Sequence, residues 1–179
     1  MTFRIQAKKF ALCTNCGKAY GNIKIKSQYC KSCKSYTVHL FDSQSEASRF
    51  IHLKNSPNIQ YLQIQPEFKL YSPIVPCAES WASKIPKPID HKKTFDKWVV
   101  SAKYTADFLY MDTQNHRGWT IEDFKPCNYK TKKPLIDAST QLRLNLLHAQ
   151  YSKTFDIITT CHAPKQGYIV KKVRPTKKD

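Results

Sequence analysis

Apolar and polar positions alternate most regularly between Ile59 and Tyr71, where Leu62, Ile64, Phe68 and Leu70 share one face and Gln63, Gln65, Glu67 and Lys69 the other. A period of two is that of a half-covered strand, and Pro66 inside it marks an edge position or a bulge. Upstream, the segment DSQSEASRFIHLK from Asp42 carries a helical period that ends before Pro57, with Ala47, Phe50, Ile51 and Lys54 on the inner side. Ser43 and Glu46 have the spacing of a capping box at its start. Downstream, WVVSAKYTADFLYM and GWTIEDFKP flank the polar turn DTQNHRG and predict a hairpin over residues 98–126. Pro134 to Ser152 read as a second helix, with Pro134 in its first turn and Leu135, Ala138, Leu142, Leu146 and Ala149 as its apolar face. Phe155 to Thr160 and Tyr168 to Val173 read as further strands. Helices among strands in this order predict a mixed α/β domain. From Pro73 to about Lys97, four prolines with Lys84, Lys87, Lys92 and Lys93 predict a long irregular excursion that Trp81 and Trp98 pin to the core or that covers a bound strand.

The length, 179 residues, suits one core plus a small module. That module is marked by Cys13-x-x-Cys16 and Cys30-x-x-Cys33, two knuckles with thirteen residues between them, the spacing of a zinc ribbon. Four thiolates leave no open coordination position, so a zinc ion there is structural rather than catalytic. The division expected is a ribbon over residues 1–40 and a second domain over 41–179 with a basic tail. Cys77, Cys127 and Cys161 share no ligand spacing and receive no role.

Charge narrows the partners. Thirty Lys and Arg against 13 Asp and Glu leave +17, or about +15 with a zinc tetrathiolate. Such a surface seeks polyanions, and DNA is the expected partner. No acid precedes Asp42, while Arg4, Lys8, Lys9, Lys18, Lys24, Lys26, Lys31 and Lys34 do. Only five of the cations are Arg, which points to gripping of the backbone more than reading of bases. No basic amphipathic helix or long apolar run directs the chain to a membrane, and its start lacks the apolar stretch of a secretory signal. The expected setting is the cytoplasm, a host cell's if the chain is viral.

Against this cationic background the acids of the hairpin stand out. Asp107 sits among Tyr104, Ala106, Phe108 and Tyr110, where an uncompensated carboxylate is costly. Asp123 and Lys125, two apart on a strand, share a face, and Glu122 points to the other unless a bulge exchanges them. The duller reading of these groups is a buried acid and a cross-strand ion pair, and that of Glu46 is a helix cap.

Tyr104-Thr105-Ala106-Asp107-Phe108 followed by Ile121-Glu122-Asp123-Phe124-Lys125-Pro126 resembles the PD-(D/E)XK nuclease superfamily. Its phage-type endonucleases and TnsA-like transposon end-cleaving enzymes also share Phe41-Asp42-Ser43 with Glu46-Ala47, and Gln65-Pro66-Glu67-Phe68. The resemblance spans Phe41 to about Gln150, and Ala106 stands where the superfamily has a proline. It implies a restriction-endonuclease-like mixed sheet flanked by helices. It also implies Mg²⁺ or Mn²⁺ held by Asp107, Asp123, the Phe124 carbonyl and Glu46, with Lys125 aiding the attacking water. Gln141, on the following helix, is the matching polar residue. The implied function is a metal-dependent DNA endonuclease of phage or mobile-element DNA processing, with branched DNA among its substrate classes. Cutting both strands calls for a homodimer or a partner protein of a recombination or transposition complex. The rival readings are a noncatalytic zinc-ribbon protein that binds nucleic acid, and an end-cleaving transposase subunit.

Overall fold

The computed structural model describes residues 9–21, 28–71, 101–115, 118–128 and 130–174. The expected excursion over 73–97, the start of the hairpin at 98–100 and the last residues of the basic tail lie outside the described residues.

Three short strands, β1 (Phe10–Cys13), β2 (Ala19–Gly21) and β3 (Val38–Phe41), form an antiparallel sheet in the order β2-β1-β3. Helix α1 (Gln44–Lys54) follows directly. Ser43 caps it by accepting from the Glu46 amide at 3.0 Å, as the capping spacing predicts. Its buried stripe is Glu46, Ala47, Arg49, Phe50 and Leu53. Ile51 is only half-buried and Lys54 is exposed, so the inner face is rotated from the expected one. Lys54 is drawn outward because its Nζ donates to the Thr14 and Asn15 carbonyls of the first cysteine knuckle, at 2.6 and 2.7 Å.

The central sheet has the order β12-β11-β8-β7-β4. It comprises β4 (Ile59–Ile64), β7 (Phe108–Asp112), β8 (Trp119–Phe124), β11 (Asp156–Ala163) and β12 (Gly167–Lys172), while β5 (Glu67–Tyr71) and β6 (Ser101–Thr105) pair separately. β8 and β11 run parallel and the other neighbours antiparallel. The alternating run from Ile59 is therefore two strands, not one. Gln65 adopts φ 50° and Pro66 lacks an amide hydrogen, so the chain leaves one sheet there and enters the other. The opposing strand breaks at the same level, because Gln65 N donates to Asp107 O and Ala106 N to Pro66 O. Pro66 is buried at this fork rather than at an outer edge.

The second helix, α2 (Ala138–Tyr151), starts later than expected, with Asp137 as its cap. Pro134 lies instead in β10 (Lys133–Pro134), paired with β9 (Cys127–Asn128), and Leu135 N donates to Pro126 O. These backbone bonds keep residues 133–135 extended. The phase of the buried face follows: Leu144 and Leu147 are buried, whereas Leu142 is 62% exposed.

Side chains of the central sheet alternate between two cores. One gathers Leu70, Tyr104, Ile121, Ile157 and the α2 leucines. The other gathers Leu12, Phe41, Ala47, Phe50, Leu53, Phe108 and Tyr110. Leu12 and Phe41 thus place the N-terminal module in a core shared with α1 and the central sheet, across the boundary expected at residue 40.

Within the α1-side core Arg49 forms a two-pronged ion pair with Glu122, Nε to Oε1 at 2.7 Å and Nη2 to Oε2 at 2.9 Å. Tyr110 donates its hydroxyl to Glu122 Oε2 at 2.8 Å, and the guanidinium lies 4.7 Å from the centre of the Tyr168 ring. Removing one partner strands a buried charge. We therefore expect Arg49→Ala to lower unfolding free energy by about 3–5 kcal/mol in urea titrations, and a loss under 1 kcal/mol would contradict this account.

Candidate functional site

The four cysteines of the N-terminal module converge. Each knuckle repeats the same backbone pattern: Cys13 N donates to Lys18 O and Cys30 N to Ser35 O. In each, the second cysteine's amide donates to the first cysteine's sulfur, at 3.5 and 3.4 Å. The residue after each second cysteine, Gly17 or Lys34, has positive φ, at 73° and 52°, which turns the chain back under the sulfurs. All four Sγ atoms lie within 4.8 Å of one another. The Cys13–Cys33 and Cys16–Cys30 sulfurs are each 3.8 Å apart. A tetrahedron with metal–sulfur bonds of about 2.3 Å has edges of about 3.8 Å, so the cluster can hold a structural ion such as zinc. Tyr20 donates to Cys30 Sγ at 3.0 Å, and Thr37 Oγ1 lies 3.1 Å from Cys13 Sγ. Burial alone would raise Cys13, but the Cys16 amide, Thr37 and further hydrogen bonds outweigh it and bring its thiol down to about 6. The thiolate, which is the ligand form, is thereby favoured at Cys13, whereas the Cys16 sulfur and then burial push Cys33 up to about 12.

A second cluster lies at the strand fork. Asp107 sits between β6 and β7, its amide donating to Glu122 O at 3.1 Å, and its Oδ2 accepts from the Phe124 amide at 2.5 Å. Asp123 is buried on the opposite face of β8 from Glu122, with Oδ2 at 2.8 Å from Lys125 Nζ. Glu46 reaches in from α1, with Oε2 accepting from the Asp42 amide at 3.0 Å. The Glu46 side chain therefore bonds one residue before the cap, not to the cap itself as a capping box would have it. Its other oxygen, Oε1, is buried without a hydrogen-bond partner, and Asp123 Oδ2 has the Lys125 ion pair but no aligned hydrogen bond.

The electrostatics follow from three acids and one lysine in a small volume. Burial, then the charges of Asp123 and Glu46, push Asp107 up to about 8. Burial pushes Glu46 up to about 7, against the amide bonds that favour its charge. Asp123 is raised by burial, with Lys125 opposing. The Tyr104 hydroxyl is buried, and the nearby Asp123 charge adds to burial in raising it. Three buried carboxylates thus share one small region with a single lysine to offset them, and Glu46 Oε1 is left without a hydrogen-bond partner. The spacing is looser than that of the sulfurs: among the described residues only the cysteine cluster brings three or more such ligand atoms within 4.8 Å.

Glu46, Asp107, Phe124 and Lys125 line an open cleft of about 850 Å³, with Asn128, Lys130 and His162 among its other walls. Asp123 is buried and is not among the residues that line the cleft. Gln141 does not line the cleft, and its amide donates to Asn145 Oδ1 one turn along α2. Glu122, the alternative to Asp123, is consumed by Arg49 and Tyr110 on the other face. Sequence reasoning missed Arg49 as the partner of Glu122, and it gave His162 no role. In the structure His162 is the one exposed residue of β11, a position no sequence pattern marks.

The fold and site define a mixed α/β protein with a four-cysteine cluster able to hold a metal ion and a buried acidic cluster beside a cleft. No family model matches the chain, and no curated protein or solved structure matches it at a significant level.

Two measurements probe these sites. Purified protein should carry one zinc-class ion per chain by elemental mass spectrometry, and Cys30→Ser should lose it; a wild type free of metal would refute the cysteine site. The acids, raised above their unfolded values near 4, bind protons more tightly when folded. Their stabilising contribution is full below about pH 4 and is lost as pH rises through about 7 to 8. Without added divalent cation, the melting temperature should therefore fall across this window more steeply in wild type than in Asp107→Asn; equal slopes would remove the proposed coupling.

Proposed function

We propose that the protein is a divalent-metal-dependent DNA endonuclease with a restriction-endonuclease-like core and a structural zinc ion in its four-cysteine module. The observation that carries this reading is the meeting of Asp107, Asp123 and Lys125 at the strand fork, with the unpaired oxygen of Glu46 on the facing helix. The element order, the acids at the end of central strands and the cationic surface support it.

In this reading Asp107, Asp123 and the Phe124 carbonyl, aided by Glu46, would hold Mg²⁺ or Mn²⁺. When bound, such an ion acidifies water and offsets charge on the phosphate. The chain's own groups do the rest. Lys125, which lies 2.8 Å from Asp123 Oδ2, would orient the attacking water and donate from Nζ to a phosphate oxygen. Lys130 and His162, on the cleft wall, receive the flanking backbone phosphates. Arg49 holds α1, and with it Glu46, against β8 as a positioning residue.

A second reading, a noncatalytic nucleic-acid-binding protein, is favoured by one observation: the acid oxygens do not gather as closely as the sulfurs. Incubation with supercoiled, linear, single-stranded and branched DNA in Mg²⁺ or Mn²⁺ separates the two. Cleavage is expected, reduced at least about 100-fold by Asp107→Asn or Lys125→Ala with duplex binding preserved. Inactivity of the wild type on every substrate would overturn the endonuclease reading in favour of the second or of an end-cleaving transposase subunit silent without its partner, and an Asp107→Asn protein cutting at full rate would remove the assigned site.

A further inference from the structure

The cysteine hairpin has a face that neither the metal site nor the cleft uses. Cys30 and Ser35 form an antiparallel bridge, and Val38 N donates to Gln28 O, so Tyr29 and Tyr36 stand opposite one another on the two arms. Cys30 points inward and is fully buried, and Ser35 Oγ lies 3.1 Å from the inner Thr37 Oγ1. Side chains alternate along such arms, which turns both tyrosines outward. Tyr29 is 38% exposed and Tyr36 is 79% exposed, their rings meeting edge to face with centroids 5.2 Å apart. The turn between the arms carries Lys31 and Lys34, both exposed, and Lys18 Nζ reaches across to Ser32 Oγ at 3.1 Å. No acidic residue occurs before Asp42, so within the module's own sequence only the cysteine thiolates counter these cations.

We propose that this outer face, Tyr29 and Tyr36 with Lys31 and Lys34, binds single-stranded nucleic acid. Unpaired bases stack on the Tyr36 ring, which Tyr29 braces from the edge, and the phosphates run along the two lysines. An exposed ring on a rigid, metal-stapled hairpin loses little freedom on stacking. The cations supply attraction without base preference. A duplex hides its base faces and gains only the charge term, so the face discriminates for unpaired strands. This inference goes beyond the endonuclease reading and does not need it.

The test is fluorescence anisotropy of the full zinc-loaded chain with a labelled thymidine dodecamer and with a blunt duplex of equal length, without added Mg²⁺. Tyr36→Ala should weaken dodecamer binding about 5- to 150-fold and leave the duplex within twofold. Tyr36→Phe, which keeps the ring, should bind as wild type. Lys31→Ala combined with Lys34→Gly, chosen because Lys34 has positive φ, should flatten the salt dependence by about 0.7 per lysine. Metal content confirms that each variant keeps its fold. An unchanged dodecamer affinity in Tyr36→Ala, or an equal loss on duplex, would overturn the proposal. A protein that cuts DNA but ignores the dodecamer sinks this inference alone; one that binds it and never cuts sinks only the endonuclease reading.

Discussion

The buried pair of Arg49 and Glu122 organises the molecule. It joins α1 to the centre of the main sheet through two parallel hydrogen bonds, with Tyr110 and Tyr168 completing the shell. Such a pair adds little net stability, because desolvating both ions costs about what their attraction returns. What it supplies is register. Glu46 lies one turn before Arg49 on the same buried stripe, so the depth of α1 against β8 sets where Glu46 points. By fixing Glu122 on the α1 face it also commits Asp123, the next residue, to the opposite one.

The fork at Gln65–Pro66 and Ala106–Asp107 is the second constraint. A carboxylate in the middle of a regular ladder would face either a core or solvent. At the fork the backbone of Asp107 is tied to Gln65 and Glu122, while its side chain accepts from the Phe124 amide across the gap. The strands part there, and Asp107 reaches the cleft, whose other walls come from the start of α1 and the segment after β8. An acid can thus be both deeply held and at a cleft wall, and its burial, with the Asp123 and Glu46 charges, pushes its carboxyl up to about 8.

Much of this was legible in the residues. The two Cys-x-x-Cys knuckles, the Ser43 cap and the pairing of Asp123 with Lys125 are local matters of spacing, and spacing is visible in one dimension. The fork was half legible: Pro66 flagged a disturbance, yet that its partner strand breaks at the same level depends on a pairing between distant segments. The start of α2 was misplaced because Pro134 suits a first turn as well as it suits β10, and the tie from Leu135 to Pro126 decided it. Arg49 was hidden for a similar reason, since its partner lies 73 positions away in the chain. The α1 face was rotated because Lys54 serves the first knuckle, a contact with no local trace.

β8 and β11 are the parallel neighbours of the central sheet, and a parallel pairing needs a crossover, here α2. During synthesis, the strand carrying Asp123 has β7 as its neighbour first and stands as an open edge until α2 and β11 have emerged. Thr159 then sits beside Asp123, and the Lys125 amide finds the Thr160 carbonyl. A nascent chain halted before residue 156 leaves Lys125 without that anchor, so the acidic cluster is completed only when nearly all of the described chain has left the ribosome.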